Sequence, residues 1–307
     1  MYDNLNVSIL LVIKNEEKAL PLFFKHIINQ SHKNISVYLF DNGSTDNSVS
    51  VATSLFPGIK TCVSQTNIGF AKANNTLAEK AFSDEAEFIF VLNPDLVLDK
   101  FCIEVLIREH QNNKKIGLLA PIMLSGDSTK INSFGTNVNF ETYKEVWPFR
   151  NNLLLKDLPE IHIVDTVGGG VTFLPKSSYL KTGLFEESFF IYGEEIDLGY
   201  RVYKNSLKTA VAAKAVVHRY HDEIKDKDIL QNFKYYYKTR AVFLYLHKHN
   251  FIKGIISNFF KFVFHIPNII KLSIRTKNSF LLLYYLLGLM HGLFNIKGKS
   301  KLNFRDY

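Results

Sequence analysis

The sequence predicts an α/β fold: a mostly parallel sheet flanked by helices, followed by a basic amphipathic helical extension. Three observations carry this reading. Short apolar runs at residues 7–13, 36–40, 59–63 and 88–92 alternate with helical patterns, and such alternation implies a parallel sheet covered on both faces. Each run ends in polar, turn-forming residues, and right-handed crossovers gather those ends on one rim. After about residue 230 the pattern changes to long helical stretches rich in Lys and aromatic residues.

The first run ends at Lys14-Asn15-Glu16-Glu17, and residues 16–30 place Leu20, Phe23, Phe24, Ile27 and Ile28 on one helical face. The second strand ends at Asp41. Asn42-Gly43-Ser44-Thr45-Asp46 then forms a turn in which Ser44 or Thr45 can cap the next helix. The third strand leads through Asn67-Ile68-Gly69-Phe70 into a helix reaching about Phe82. The fourth breaks at Asn93-Pro94-Asp95. Pro94 has no N–H for a central ladder, so the strand stops and Asp95 is held at its carboxyl end. Ligands of open α/β sheets bind just outside such ends. A carboxylate there suits a hard divalent cation that bridges to phosphate; capping the following helix is its other use. Asp41 lies on the same rim.

Residues 117–122 read as a further strand, while 125–159 are polar and irregular, contain the only tryptophan, Trp147, and have the character of a binding loop. Gly168-Gly169-Gly170 precedes the apolar residues 171–174. It permits either a close backbone approach to a ligand or a strand bulge. In residues 185–201, FEESFFIYGEEIDLGYR, Glu194 and Glu195 open a helix after Gly193, beside Phe189, Phe190 and Tyr192. The positive end of the helix dipole favours carboxylates there. Asp197 and Arg201 are spaced to pair on one face. A carboxylate at such an aromatic-lined turn can serve as general base for a hydroxyl. A strand at 209–217 ends in His218-Arg219-Tyr220-His221, where His218 is either structural or able to complete a metal site with a strand-end aspartate.

With 47% hydrophobic residues in 307, a sizeable core forms without staples. The two cysteines, Cys62 and Cys102, have no metal-ligand spacing and make no disulfide framework, which suits a reducing cytosol. No basic region precedes the apolar 7–13, so it does not read as a signal peptide. Net charge is +8, unevenly spread: from residue 230 onward 13 Lys/Arg meet one acid, Asp306, while the rest carries 24 basic against 28 acidic residues. Such a tail suits an anionic membrane surface or nucleic acid, or is a solvated helical face. Phe233, Tyr236, Tyr237, Phe243 and Leu244 mark one amphipathic helix, with Lys234, Lys238 and Arg240 beside them. Ile252, Ile255, Ile256, Phe259, Phe260, Val263 and Phe264 mark another, with Lys253 and Lys261 off the stripe. Residues 280–290 are apolar but too short to span a bilayer. Basic helices with aromatic apolar faces lie in the membrane interface. No GxGxxG follows a strand, and residues 292–300 miss the P-loop spacing by one.

Taken in order, VSILLVIKNE (7–16), DNGSTDNS (41–48), NIGFAKANN (67–75), LNPD (92–95), GGG (168–170), FEESFFIYGEEIDLGYR (185–201) and VVHRYH (216–221) resemble family 2 glycosyltransferases of the GT-A fold, especially the rhamnosyltransferase-like subgroup. The resemblance covers about residues 6–250. It implies a catalytic domain over 1–229, divided into a nucleotide-sugar half (1–115) and an acceptor half (116–229), with a basic helical tail over 230–307. It implies that Val12 and Asn15 border the base and ribose, that Asp41 is the acid at the base, and that Asn67, Gly69 and Asn74 line the donor pocket. Asn93 and Asp95 match the DxD-type motif, with Asp95 as metal ligand and His218 completing the site for Mg2+ or Mn2+. Gly169, Gly170, Tyr192 and Asp197 fall on the acceptor side. The family's base is the aspartate of a Glu-Asp pair. Here Glu195 takes that place, one methylene longer, and Glu194 competes for the role.

The resemblance further implies an inverting transfer from a dTDP- or UDP-sugar, with dTDP-rhamnose first and UDP-hexoses next. The acceptor is a growing bacterial surface polysaccharide on polyprenyl diphosphate, and the tail holds the enzyme on the cytoplasmic face of the inner membrane. The sequence leaves the linkage and the oligomeric state open. A nucleic-acid binder would explain the tail but leave Asp41, Asp95 and Glu195 without a role. A nucleotidyltransferase would need a Gly-rich basic loop after the first strand, and a processive synthase would need spanning helices. A non-catalytic membrane-associated adaptor retaining the fold is the rival from another class.

Overall fold

The structure, a computed structural model, describes residues 4–128, 130–148, 158–220 and 227–302, with backbone alone at 227–230. His221, residues 149–157 of the irregular stretch and residues 303–307 of the tail lie outside the described residues.

The first half runs β1 (Val7–Ile13), α1 (Leu20–Ile28), β2 (Ile35–Asn42), α2 (Ser48–Leu55), β3 (Lys60–Ser64), α3 (Phe70–Ser83), β4 (Phe88–Leu92), β5 (Leu96–Leu98) and α4 (Cys102–Asn112). The second runs β6 (Ile116–Ser125), β7 (Ile131–Ser133), β8 (Asn137–Asn139), β9 (Lys144–Val146), β10 (Ile161–Val164), β11 (Val171–Pro175), α5 (Lys176–Thr182), a 3₁₀ turn (Glu187–Phe189), α6 (Glu194–Lys204) and β12 (Lys208–Arg219). Three helices close the chain: α7 (Lys227–Lys248), α8 (Ile252–Thr276) and α9 (Leu281–Leu293).

The large sheet has the order β10-β12-β6-β11-β4-β1-β2-β3, with β5 against β12 and β7 against β6. β3, β2, β1, β4, β6 and β12 run one way, and β11 lies antiparallel between β4 and β6. This inserted strand matters for the site. Its register sets Val171 opposite Leu92, so the turn at 168–170 arrives at the carboxyl end of β4. In the parallel half, Ile13 pairs Asp41 and Leu11 pairs Leu92, which brings Asn15, Asp41 and Asn93 to one rim.

The central strands are buried on both faces, as their unbroken apolar runs require. Phe23 and Phe24 of α1, Leu77 and Ala81 of α3 and Leu106 of α4 are fully buried against the sheet, each large side chain contributing about 1.5–3 kcal/mol. α1 starts at Leu20, with Pro21 in its first turn, rather than near Glu16. The N–H groups of Glu16 and Glu17 are taken by Ser48 Oγ at 2.7 Å and Asp46 Oδ2 at 3.3 Å, which ties this loop to α2.

The C-terminal helices divide in character. Ala241, Phe243 and Leu246 of α7 are buried with Tyr143, Phe189 and Ile196. Gly288 and Gly292 of α9 lie against the α7 backbone at Tyr236 and Arg240. α8 is the exposed one: Ile252, Ile256, Phe260 and Phe264 face solvent. Among the described residues no helix is long and apolar enough to cross a membrane.

Candidate active site

The rim of the parallel half is built by side chains that bond its own loops. Asp41 is nearly fully buried, and its Oδ1 accepts from the Ser44 N–H at 3.1 Å, closing an Asx-type turn. Asn15, at φ +58°, a conformation asparagine tolerates, accepts from Thr45 N–H at 2.7 Å and donates its own N–H to Ser44 Oγ at 2.9 Å. Asn42 bonds the Asn67 side chain at 3.0 Å and the Ile68 N–H at 2.8 Å. Thus the first, second and third strand loops form one ledge, with Val12 half-buried beneath it. Gly69, at φ +96°, is pressed by Phe190: a Cβ there would lie 2.6 Å from the ring. Asn74 sits deeper, fully buried in α3, donating to the Phe70 carbonyl at 2.9 Å.

The triple glycine joins this ledge to the carboxylate pair. Asn93 N–H donates to the Gly170 carbonyl at 3.0 Å, and the Asn93 amide occupies the space a Gly170 Cβ would need. One residue earlier, a Cβ on Gly169 would be 3.4 Å from Glu194 Oε1 and 3.7 Å from Glu195 Cβ. Thr172 Oγ1 donates to the Gly168 carbonyl at 3.0 Å and holds the turn. At Gly170 the missing side chain leaves room for Asn93, whereas a Cβ on Gly168 or Gly169 would meet only ordinary contacts.

Glu194 is 4% exposed, and its Oε2 has no hydrogen-bond partner among the described residues. Glu195 is half-buried and accepts from the Gly193 N–H at 3.0 Å, while its own carbonyl accepts from Thr166 Oγ1 at 2.6 Å. Burial pushes the Glu194 carboxyl well above the ordinary glutamate value, and the neighbouring Glu195 adds to the rise. Burial likewise raises Glu195. A carboxylate raised toward the working pH is a better general base than an ordinary one. Tyr192, at φ +65°, borders the pair, with Lys238 Nζ 5.2 Å above its ring. Burial first, then the two glutamates, pushes its hydroxyl up to about 12, so it stays neutral.

Asp197 is engaged elsewhere. Fully buried, it binds Arg201 Nε at 2.7 Å, Lys248 Nζ at 2.9 Å and His249 Nε2 at 2.7 Å. Its pKa is held well below the usual carboxylate range: burial opposes, but the bond from His249 and the charges of Arg201 and Lys248 prevail. The residue anchors the end of α7 to α6.

At the end of β4, Asp95 Oδ2 accepts from Arg219 Nε at 2.9 Å. His218 faces away from it: Nε2 lies 3.0 Å from Asp99 Oδ1 and Nδ1 lies 3.2 Å from Ser128 Oγ. Adjacent residues of a strand point to opposite faces, so β12 offers Asp95 only one of the two, and it offers Arg219. Among the described residues no group of three His, Cys, Asp or Glu is placed to hold a metal. A single carboxylate still fits Mg2+ or Mn2+ chemistry, because Mg2+ takes one or two protein carboxylates and completes its shell with water and phosphate oxygens.

Three side chains were not singled out for the site by spacing. Arg219 alternates with His218 and was legible as its strand neighbour. Arg240, expected beside the amphipathic stripe, is fully buried, donates to the Phe189 carbonyl at 2.8 Å and stacks on Tyr237 at 4.6 Å, so it braces the 189–193 loop from behind. Lys299, from the far end of the chain, donates to the Asn67 carbonyl at 3.0 Å, a contact without any local sequence signal.

Residues 8–178 match the model of a family described as glycosyl transferase family 2. N-acetylglucosaminyl-diphospho-decaprenol L-rhamnosyltransferase of Mycobacterium tuberculosis is 23% identical over 246 residues, 73% of this chain and 79% of that protein. Low-salt glycan biosynthesis hexosyltransferase Agl10 of Haloferax volcanii is 27% identical over 184 residues, 58% of this chain and 57% of that protein. Among solved structures, GalNAc-T7 with UDP, GalNAc and Mn2+ is similar with a TM-score of 0.60 at 13% identity, covering 79% of this chain and 48% of that one. The chain thus spans about half the length of that structure, and the likeness is one of fold.

Proposed function

The chain belongs to glycosyl transferase family 2 and has the GT-A fold, and from that premise we propose that it is an inverting, metal-dependent glycosyltransferase of glycan biosynthesis. It moves L-rhamnose from dTDP-rhamnose to a hydroxyl of a polyprenyl-diphosphate-linked oligosaccharide. The transferred sugar and the lipid-diphosphate class of the acceptor are those in the name of the mycobacterial relative; the dTDP carrier follows from the rhamnosyltransferase-like motifs. A UDP-hexose donor is the second reading, favoured by the hexosyltransferase name of the haloarchaeal relative.

The observation that carries the proposal is the turn at 168–170. Its Gly170 accepts a hydrogen bond from Asn93 of the nucleotide-side motif, and its Gly169 lies where a Cβ would come within contact distance of Glu194 and Glu195. One rigid backbone segment therefore spaces the leaving diphosphate from the base. On this reading Asp41 and Asn15 hold the nucleoside at the ledge. Glu195 accepts the proton of the acceptor hydroxyl as its oxygen attacks the anomeric carbon from the face opposite the diphosphate. That single displacement inverts the centre, and the departing diphosphate needs no proton. Mg2+ or Mn2+ bound at Asp95 would supply charge neutralisation for that leaving group. Arg219, already on Asp95, adds a fixed positive charge there. Tyr192 remains neutral and borders the acceptor side. The basic tail keeps the enzyme peripheral, on the cytoplasmic face, beside its lipid-linked acceptor.

The test is nucleotide release from a panel of dTDP- and UDP-sugars, with and without a short diphosphate-lipid acceptor. Release of dTDP from dTDP-rhamnose, accelerated by acceptor, supports the first reading. Turnover of UDP-hexoses alone selects the second. A folded protein inert toward every donor is left with the adaptor role.

A further inference from the structure

α8 carries three faces. Gly254, Asn258 and Ile269 are buried against the rest of the protein. Ile252, Ile256, Phe260, Phe264, Ile270 and Ile274 are between 40% and 77% exposed. By the ordinary helical pitch these six apolar residues span about 120° of the circumference. On the same scale Lys253 and Lys271 fall just inside one edge of that stripe, and Arg275 and Lys261 continue beyond the edge. From residue 251 to 302 the chain has eight Lys/Arg and no Asp or Glu. A soluble helix does not expose a row of Ile and Phe this long without a partner, and the flanking charge says which sign the partner carries.

We propose that α8 is an interfacial helix that lies in the headgroup region of an anionic lipid surface, apolar stripe inward and Lys row on the phosphates. α7 and α9 pack against α8 and attach it to the rest of the chain. The same helix is tied by contacts to the turn that carries the carboxylate pair. Asn258 Nδ2 donates to the Thr142 carbonyl at 2.8 Å, and Gly254 lies so close to the Glu141 carbonyl that a Cβ would collide with it. Both contacts dock α8 on the β8–β9 hairpin. The next residue of that hairpin, Tyr143, packs on Tyr245 at 5.2 Å between ring centroids. Its hydroxyl would lie 3.4 Å from a Cβ on Gly193, the residue before the carboxylate pair. α8 and the turn that precedes Glu195 are thus linked through one hairpin. The inference rests on the transferase reading only for what the surface presents; the lipid contact stands on α8 alone.

The experiment is cosedimentation of the full-length chain with sucrose-loaded vesicles of phosphatidylglycerol and phosphatidylcholine, or phosphatidylcholine alone, at low and high salt. The proposal expects binding to the anionic vesicles that weakens with salt. It expects Ile256→Ser/Phe260→Ser/Phe264→Ser to lower the partition about tenfold or more. Lys253→Gln/Lys261→Gln/Lys271→Gln should flatten the salt dependence. Both variants remove exposed side chains, so donor turnover in solution should stay at the wild-type level. Equal vesicle binding by the apolar variant, or none by the wild type, overturns the proposal. So does a lipid-independent dimer in sedimentation velocity that the apolar variant dissolves without any vesicle binding, since a second copy would then cover the stripe. Vesicle binding without donor turnover sinks the transferase reading and leaves this one standing; turnover without vesicle binding does the reverse.

Discussion

Asn93 rests on Gly170. Its N–H donates to the Gly170 carbonyl at 3.0 Å, and a Cβ on Gly170 would lie 2.5 Å from Asn93 Oδ1. Gly170→Ala must therefore turn the Asn93 side chain while leaving β11 and β4 paired. The expected outcome is a donor KM at least about tenfold higher, because misplacement on the ångström scale is costly at a reacting centre, with an unfolding midpoint within a few degrees of wild type. Steady-state kinetics beside calorimetric unfolding checks both.

Glu195→Gln should lower kcat by about 10²–10⁴-fold, the usual contribution of a general base, without weakening nucleotide binding. Glu195→Asp, which restores the carboxylate at shorter reach, should recover part of that loss. Burial raises both carboxyls of the pair above the ordinary glutamate range, and Glu195 raises Glu194 further. Activity should therefore fall on the acid side through that elevated range. Glu195→Gln should abolish this limb, whereas Glu194→Gln should leave it in place, because burial rather than the Glu194 charge raises Glu195. Loss of the limb in Glu194→Gln instead would reverse the assignment of the base.

The same pair has a signature in stability. A carboxyl whose folded pKa is raised stabilises the protein most below its unfolded value, about 4.3, and that contribution is lost as pH rises through the folded value. Glu194 is the more deeply buried of the two. Glu194→Gln should accordingly raise the melting temperature at pH 8 by on the order of 2–4 °C, the effect of about 1 kcal/mol in a domain of this size. At pH 4 the difference should vanish. Melting curves across that range test the sign.

Asp197 works the other way. Its folded pKa is depressed by His249, Arg201 and Lys248, so its contribution is present above the unfolded value of about 3.9 and lost as pH falls toward the folded one. Asp197→Asn leaves Arg201 and Lys248 without that buried carboxylate and should destabilise by about 3–5 kcal/mol at neutral pH. The loss should narrow in acid. Denaturant unfolding at pH 7 and pH 3 provides the comparison.

Much of this architecture is written locally. The apolar runs before Asp41 and Asn93 are central strands because nothing polar interrupts them, and Pro94 ends β4 where a missing N–H must. The ledge residues Asn15, Asp41 and Asn67 sit at strand ends that any right-handed crossover would gather. What the sequence does not show is set by long-range packing. β11 reads as one more apolar run, and only its insertion between β4 and β6 turns the glycines toward Asn93 and Glu194. The phase of β12 against β5 decides that Arg219, not His218, meets Asp95. Arg240 follows the spacing of a solvent-facing residue but is enclosed by Tyr236, Tyr237 and the Phe189 carbonyl.

On the proposed function, the rim at Asp41, Asn93 and Asp95 receives a nucleoside diphosphate. Isothermal calorimetry of dTDP, UDP, GDP and ADP against the wild type and Asp95→Ala, with and without Mn2+, tests it most directly. The expected result is Mn2+-dependent binding of dTDP or UDP that Asp95→Ala loses, while GDP and ADP bind weakly. No binding of any nucleotide by the folded wild type, or equal binding by Asp95→Ala, would contradict it.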